Sequence, residues 1–263
     1  MTDFAPSPEE GSTACLDLQP PPPQLLENAS LFLDFDGTLV DLAERPDAVH
    51  VSARLHDLLD TLARRLDGRL AIVSGRGASD VAEQLGQPSC LIVGSHGAEF
   101  RDASGRIAAP PRSAALEEAV LAVQAFARDY QGEGGQQGLL VEDKPQGVAL
   151  HYRMAPELQD AADGFATDLA RRLGLYLQTG KMMVELRMGG ADKGIALNRL
   201  MGQTAMRGTK PVFLGDDDTD ETAFRAARAL GGAGILVGPM RQTAALWRLP
   251  DVAAVHHWLE DAA

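Results

Sequence analysis

The sequence predicts an α/β protein: a doubly wound, Rossmann-like parallel sheet core with a smaller α+β cap (lid) inserted into it. The first observation behind this is a repeated grammar. "LFLDFDGTLV" (31–40), "LAIVSGR" (70–76), "CLIVGSHGAE" (90–99), "PVFLGDDDTDE" (211–221) and "GILVG" (234–238) are short apolar runs that end in glycine or in small or acidic residues. Their apolar stretches lack the polar alternation of a half-exposed strand, and helical patterns separate most of them, as in a parallel sheet covered on both faces. The second observation is an interruption. Residues 101–186 read as helix, hairpin, helix, hairpin, after which the parallel pattern resumes.

Taken in order, residues 1–28 form a proline-rich arm: Pro6, Pro8 and the run Pro20 to Pro23 block helix and ladder, and apolar periodicity is absent. This predicts a flexible extension. The core then occupies 29–100 and 187–263. After its first strand, Ser52 is placed to cap a helix bearing Leu55, Leu58, Leu59, Leu62 and Leu66. A shorter helix, Ser79 to Leu85, follows the second strand. In the cap, Leu116, Val120, Val123, Phe126 and Tyr130 mark a helix, and a Gly/Gln-rich turn at 132–138 follows it. "LLVEDK" and "GVALHYR" pair as a hairpin, a helix spans about Pro156 to Leu173, and "LYLQ" and "KMMVELR" supply two more strands.

A chain of 263 residues allows two domains. With 45% hydrophobic but only 5% aromatic residues, its core must rest on Leu, Val, Ile and Ala. A net charge of −13 argues against nucleic acid or an anionic membrane as partner. An anionic small molecule would need local positive charge or a metal. Cys15 and Cys90 do not make a disulfide framework, the N-terminus lacks a signal-peptide pattern, and no run approaches the ~18 apolar residues of a membrane span. A cytoplasmic protein is expected; its oligomeric state is left open.

Asp34 and Asp36, set two apart at the end of an apolar strand, repel each other and lose hydration there. In open parallel sheets, ligands bind beyond the carboxyl ends of the strands, and Ser74, Asp216 and Asp217 occupy the same end. Converging carboxylates need a cation, and an all-oxygen set suits Mg²⁺. Phosphoryl transfer uses such a set. An ionised aspartate is a nucleophile without further activation, and Asp36 beside it can protonate the leaving oxygen and later deprotonate water. Gly37 lets the backbone approach a phosphate, the Thr38 region offers N–H donors, Ser74 offers a hydroxyl, and Lys193 opens a helix with a positive charge.

DFDGTL, Ser74 in "VSGR", Lys193 and "GDDDTDE", in that order, resemble the haloacid dehalogenase phosphatase superfamily. The resemblance implies a phosphoaspartate on Asp34, acid–base work by Asp36, and Mg²⁺ held by the Asp34 carboxylate, the Asp36 backbone carbonyl and Asp216. Asp217 and Asp220 would support them. For the cap, spacing alone leaves two readings open. Glu142 with Lys144, His151 with Arg153, and Lys181 with Glu185 match in parity, so they form either a face that reads sugar hydroxyls or a solvated face of surface ion pairs. "GSHGAE", "VEDKPQGVALHYR", "KMMVELR…DKG" and "GDDDTDE" together resemble the trehalose-6-phosphate phosphatase family over most of residues 30–240. That resemblance implies a sugar phosphate as substrate, its glucose ring bound by Glu142, Lys144, Arg153, Lys181 and Glu185. Phosphatases of sucrose phosphate or mannosyl-phosphoglycerate, and a non-catalytic phosphosugar sensor, are the alternatives. Phe35 replaces a frequent tyrosine of the family, and Met188 a usual proline, which predicts a looser hinge back into the core.

Overall fold

A computed structural model describes residues 17–42, 51–130, 138–180 and 182–263. Residues 132–137 of the expected turn at 132–138, the arm's first sixteen residues with Cys15, and Lys181 lie outside the described residues. The core sheet is built from β1 (Ala29–Leu33), β2 (Leu70–Val73), β3 (Leu91–Gly94), β4 (Glu99–Arg101), β5 (Ile107–Ala108), β10 (Lys210–Gly215), β11 (Ala233–Val237) and β12 (Trp247–Leu249), in the order β12-β11-β10-β1-β2-β3-β4-β5. All five predicted runs are strands, and they pair in parallel.

Side-chain alternation divides the apolar content between two layers. Leu31, Leu33, Ile72 and Leu214 pack with α1 (Ala53–Arg65), α2 (Ala78–Gln84) and α7 (Val252–Asp261) on one face. Phe32, Val73, Val93 and Phe213 pack with α5 (Lys193–Met201) and α6 (Glu221–Ala229) on the other. Ser52 caps α1 as expected, its hydroxyl accepting from the Leu55 N–H at 3.2 Å.

The core sheet continues through the antiparallel strands β4 and β5 to Ala108, so the cap leaves it later than the expected residue 101. These strands are too short to carry a readable period. Residues 17–28 also differ from the loose arm that their prolines predict. Leu18 packs on the core, Leu26 is buried, and Asp17 bonds Arg248 of β12 at 2.7 Å.

The cap is a four-stranded antiparallel sheet, β6 (Leu140–Lys144), β7 (Gly147–His151), β9 (Met183–Arg187) and β8 (Tyr176–Gly180), in that order. It is covered on one face by α3 (Ala114–Asp129) and α4 (Gln159–Leu173), with Leu116, Val148, Leu150, Leu169, Val184 and Leu186 as its own apolar cluster. The return to the core is not loose. Met188 donates its N–H to the Gln146 carbonyl at 3.3 Å, which a proline there cannot do, and Ser113 Oγ donates to its sulfur. No helix among the described residues is long and apolar enough to cross a membrane.

Candidate active site

The carboxyl end of the central strands holds the predicted core residues. Asp34 follows β1 directly, its N–H still paired to the Leu214 carbonyl of β10 at 2.9 Å. The chain then turns sharply at Gly37, whose φ of +76° is in the left-handed region. A Cβ there would lie 2.2 Å from Asp216 Oδ2, so only glycine brings this loop against the acid after β10. The donors of this loop are not the expected ones. The Gly37 N–H donates to the Val40 carbonyl at 2.8 Å and the Thr38 N–H to the Phe35 carbonyl at 3.4 Å. Among the described residues, the N–H groups of Phe35 and Asp36 have no acceptor, so the free donors sit beside Asp34 itself.

Lys193, buried at the start of α5, ties the site together. Its Nζ donates to Asp34 Oδ1 at 2.8 Å and to Asp220 Oδ1 at 2.7 Å. Asp192 caps that helix through the Ile195 N–H. Asp217 caps the turn into α6, accepting from the Thr219 N–H at 2.8 Å, while its own N–H donates to Asp220 Oδ2 at 3.1 Å. Ser74 is buried after β2; its Oγ accepts from the Arg76 N–H at 3.1 Å, and among the described residues its own hydrogen has no acceptor.

Charge in this site is unbalanced. Burial, then the charges of Asp216 and Asp217, pushes Asp34 up to about 8 despite Lys193. Burial, then Asp220 and Asp217, brings Asp216 to about 7. Asp220 is also raised, by burial and by Asp34. Burial opposes the charge of Lys193, but Asp220 and Asp34 outweigh it and hold the ammonium well above the ordinary lysine range. One ammonium therefore serves several buried carboxylates. Asp34, Asp216 and Asp220 each offer an oxygen within 4.8 Å of the others, an all-oxygen set that fits a hard divalent cation. Both Asp220 oxygens already accept bonds, so Asp34 and Asp216 are the freer carboxylates. The Asp36 carboxylate is held by Arg76 through two bonds, of 2.7 and 2.6 Å.

Across a cavity of about 720 Å³ stands the cap sheet. Asp34, Asp36, Ser74, Lys193, Asp216 and Asp217 line it from the core, and Glu142, Lys144, Arg153 and Glu185 from the cap. Register puts Glu142, Ala149, Glu185 and Gln178 in one row across the four strands. Lys144 Nζ donates to Glu185 Oε2 at 2.6 Å and stands 4.0 Å from Glu142, which shares a 2.8 Å bond with His151. Burial opposes it, yet the His151 bond and the nearby Lys144 hold Glu142 below the usual glutamate range. Arg153 is exposed and has no hydrogen bond or ion pair among the described residues.

Arg76, His96 and Gln178 are among the residues of this cavity that the sequence reading passed over. Arg76 stands in the "VSGR" run itself, and Gln178 shares the Glu185 row by parity. His96 is buried, with burial and the charges of Lys193, Arg187 and Lys144 pushing it down to about 3. It lies in a loop that braces the Ser74 turn. The His96 N–H donates to the Ser74 carbonyl at 3.0 Å, the Ser95 N–H to the Arg76 carbonyl at 2.7 Å, and Glu99 accepts from the Ala78 N–H and the Ser95 hydroxyl.

The family model for trehalose-phosphatases matches residues 32–253. A probable trehalose-phosphate phosphatase of Sinorhizobium fredii is 42% identical over 88% of this chain and 86% of its own length. The trehalose-6-phosphate phosphatase of Escherichia coli is 37% identical over 90% of this chain and 88% of its own. A crystal structure of a trehalose-6-phosphate phosphatase related protein superposes with a TM-score of 0.70 at 26% identity, covering 88% of this chain and 95% of that one. The layered core with its inserted cap is the haloacid dehalogenase-like fold. Since the match takes in the aspartate loop, the whole cap and the acids after β10, the chain belongs to the trehalose-phosphatase family.

Proposed function

We propose that this chain is a Mg²⁺-dependent phosphatase that converts trehalose 6-phosphate and water into trehalose and phosphate. The observation that carries this reading is one cavity with a lysine-paired aspartate on its core wall and an acid–base row on its cap wall. An Asp34 carboxylate oxygen attacks phosphorus, the bond from phosphorus to the sugar oxygen breaks, and Asp36 gives that oxygen its proton. The Asp36 carboxylate then takes a proton from water, whose oxygen attacks the acyl phosphate. The phosphorus–Asp34 bond breaks, phosphate leaves, and both aspartates return to their starting forms.

Lys193 holds Asp34 in place with one N–H and keeps another for a phosphoryl oxygen, a preorganised charge that needs no rearrangement in the reaction. Ser74 and the N–H groups of Phe35 and Asp36 are further donors beside Asp34. When bound, Mg²⁺ neutralises phosphoryl charge as a Lewis acid, and Asp34, Asp216 and the Asp36 carbonyl are the groups that would hold it. Glu142, Lys144, Arg153, Glu185 and Lys181 would grip the sugar remote from the phosphate, so that this binding energy positions the reacting end. A cytoplasmic setting belongs to the proposal and rests on the cysteine-poor composition.

Phosphate release is measured from trehalose 6-phosphate, sucrose 6-phosphate, mannosyl-phosphoglycerate and glucose 6-phosphate, with Mg²⁺ and with EDTA. Mg²⁺-dependent release from trehalose 6-phosphate far above the others is the expected result. A preference for another ester would overturn the sugar assignment, and binding without turnover would turn the protein into a sensor. Gly37→Ala provides a structural check on the same assay. Its methyl group would displace Asp216, and a misplacement of about 1 Å in such a site costs roughly 100-fold. Wild-type rates in that variant would show that the loop and Asp216 do not act together.

A further inference from the structure

Asp36 must reach the bridging oxygen of the ester, yet in the structure both of its carboxylate oxygens are occupied. Arg76 Nε donates to Oδ2 at 2.7 Å and Arg76 Nη2 to Oδ1 at 2.6 Å. This parallel pair belongs to the strong class of charge-assisted bonds. It is also partly sheltered: the side chains retain 16% and 30% of their exposure, and the guanidinium lies 5.7 Å from the centre of the buried Phe35 ring. The backbone of Arg76 is fixed at both ends, its N–H on Ser74 Oγ and its carbonyl on the Ser95 N–H. Its side chain, not its backbone, makes the contact with Asp36.

The partner available from the cap is Glu142, which lines the same cavity and whose charge already acts on Arg76. Glu142 is at present shared with His151 at 2.8 Å and with Lys144 at 4.0 Å. Sugar hydroxyls both donate and accept, so a sugar seated on this row would compete for Lys144 and His151 and leave Glu142 to the guanidinium. Asp80, a further acid acting on Arg76, sits on the core in the first turn of α2 and cannot report on a ligand at the cap.

We infer that Arg76 is a positioning and specificity residue: it withholds Asp36 from the reaction until a ligand engages the cap row at Glu142. The inference rests on the phosphatase reading above and deepens it. A cavity of about 720 Å³ admits any small phosphate ester, so size alone does not exclude them. An ester too short to reach Glu142 leaves Arg76 on Asp36, and its alkoxide leaving group then finds no proton donor. Selectivity comes from a withheld acid–base group, with the cap reporting on the sugar.

The test compares the full chain with Arg76→Ala and Arg76→Lys, measuring kcat and KM for trehalose 6-phosphate and for glycerol 3-phosphate, a small alkyl ester. In Arg76→Ala, kcat for glycerol 3-phosphate is expected to rise about 10-fold or more, since a positioned acid–base group contributes roughly 10²–10⁴-fold. In the same variant kcat/KM for trehalose 6-phosphate falls about 10-fold. Arg76→Lys, which keeps the charge but not the paired bonds, falls between. A merely structural arginine would lower both substrates by one factor, and that result, or an unchanged glycerol 3-phosphate rate in both variants, overturns the inference. If the alanine variant does not melt cooperatively, the lysine variant decides by the same ratio. A wild-type chain inert toward trehalose 6-phosphate would sink the substrate assignment, and the glycerol 3-phosphate ratio would still judge the clamp.

Discussion

Asp34→Asn is expected to abolish phosphate release and, at the same time, to stabilise the metal-free protein at slightly alkaline pH. The first effect follows from the loss of the attacking oxygen. The second follows from where Asp34 sits. In the metal-free fold, burial and the neighbouring acids push it up to about 8 from an ordinary value of 3.8. Between those limits the folded chain binds more protons than the unfolded one, so stability falls as pH rises through the window. Below about pH 4 the group adds no penalty, and by about pH 8 the penalty is nearly complete. Asparagine cannot ionise and removes this slope. In EDTA the variant is expected to melt about 5 °C above wild type near pH 8, the response of a chain this size to ~2 kcal/mol, and level with it near pH 4. Mg²⁺ added at pH 8 raises the wild type more than the variant. Equal melting temperatures at both pH values would mean that the carboxylates are not short of a cation.

Lys193→Met is expected to cost both stability and turnover. Lys193 Nζ is the shared donor to Asp34 and Asp220, and all three side chains are nearly or fully removed from water. Taking the ammonium away leaves two buried acids without the cation that favours their charged forms, and breaking a buried pair from one side costs about 3–5 kcal/mol. Urea midpoints in EDTA measure this. Loss of the preorganised charge is expected to lower kcat roughly 10²–10³-fold. The double variant Lys193→Met with Asp220→Asn separates the two effects. It removes one orphaned charge and recovers much of the stability, while kcat stays low. Recovery of kcat together with stability would show that Lys193 acts only through the fold.

Much of the core was written locally. Leu31 and Leu33 face one helical layer and Phe32 the other, so an unbroken apolar run announced a strand covered on both sides. Strands of two or three residues, such as β5 and β12, carry no period and went unread. The segment from Asp17 to Leu26 was hidden by its prolines, because its anchors, Leu18 and Leu26, are isolated in sequence. The Asp34 loop was legible as an acidic strand end, but its donors were assigned too far along; the tight turn that Gly37 permits consumes the N–H groups of Gly37 and Thr38. Arg76 escaped for another reason. Its partner Asp36 is 40 residues away, and no local spacing encodes which carboxylate a guanidinium will choose. Parity could suggest that Glu142, Lys144 and Glu185 share a face, but only the register across β7 shows Glu142 and Glu185 in one row.

The pairing of β1 with β10 has a consequence for how the chain is made. Ala29 lies beside Lys210, so the strand that leads to the nucleophile lacks one of its two neighbours until most of the polypeptide has left the ribosome. The cap has its apolar cluster complete by Leu186 and needs no strand of the core to pair its own sheet. Pairings so distant in sequence close slowly. During synthesis the lid can therefore assemble first, and the half-built sheet waits with β1 presenting an open edge. Lys193, Asp216 and Asp220 all arrive late, and with Lys193 comes the ammonium that Asp34 and Asp220 share. A nascent chain released early would carry a finished lid over a site with no means of turnover.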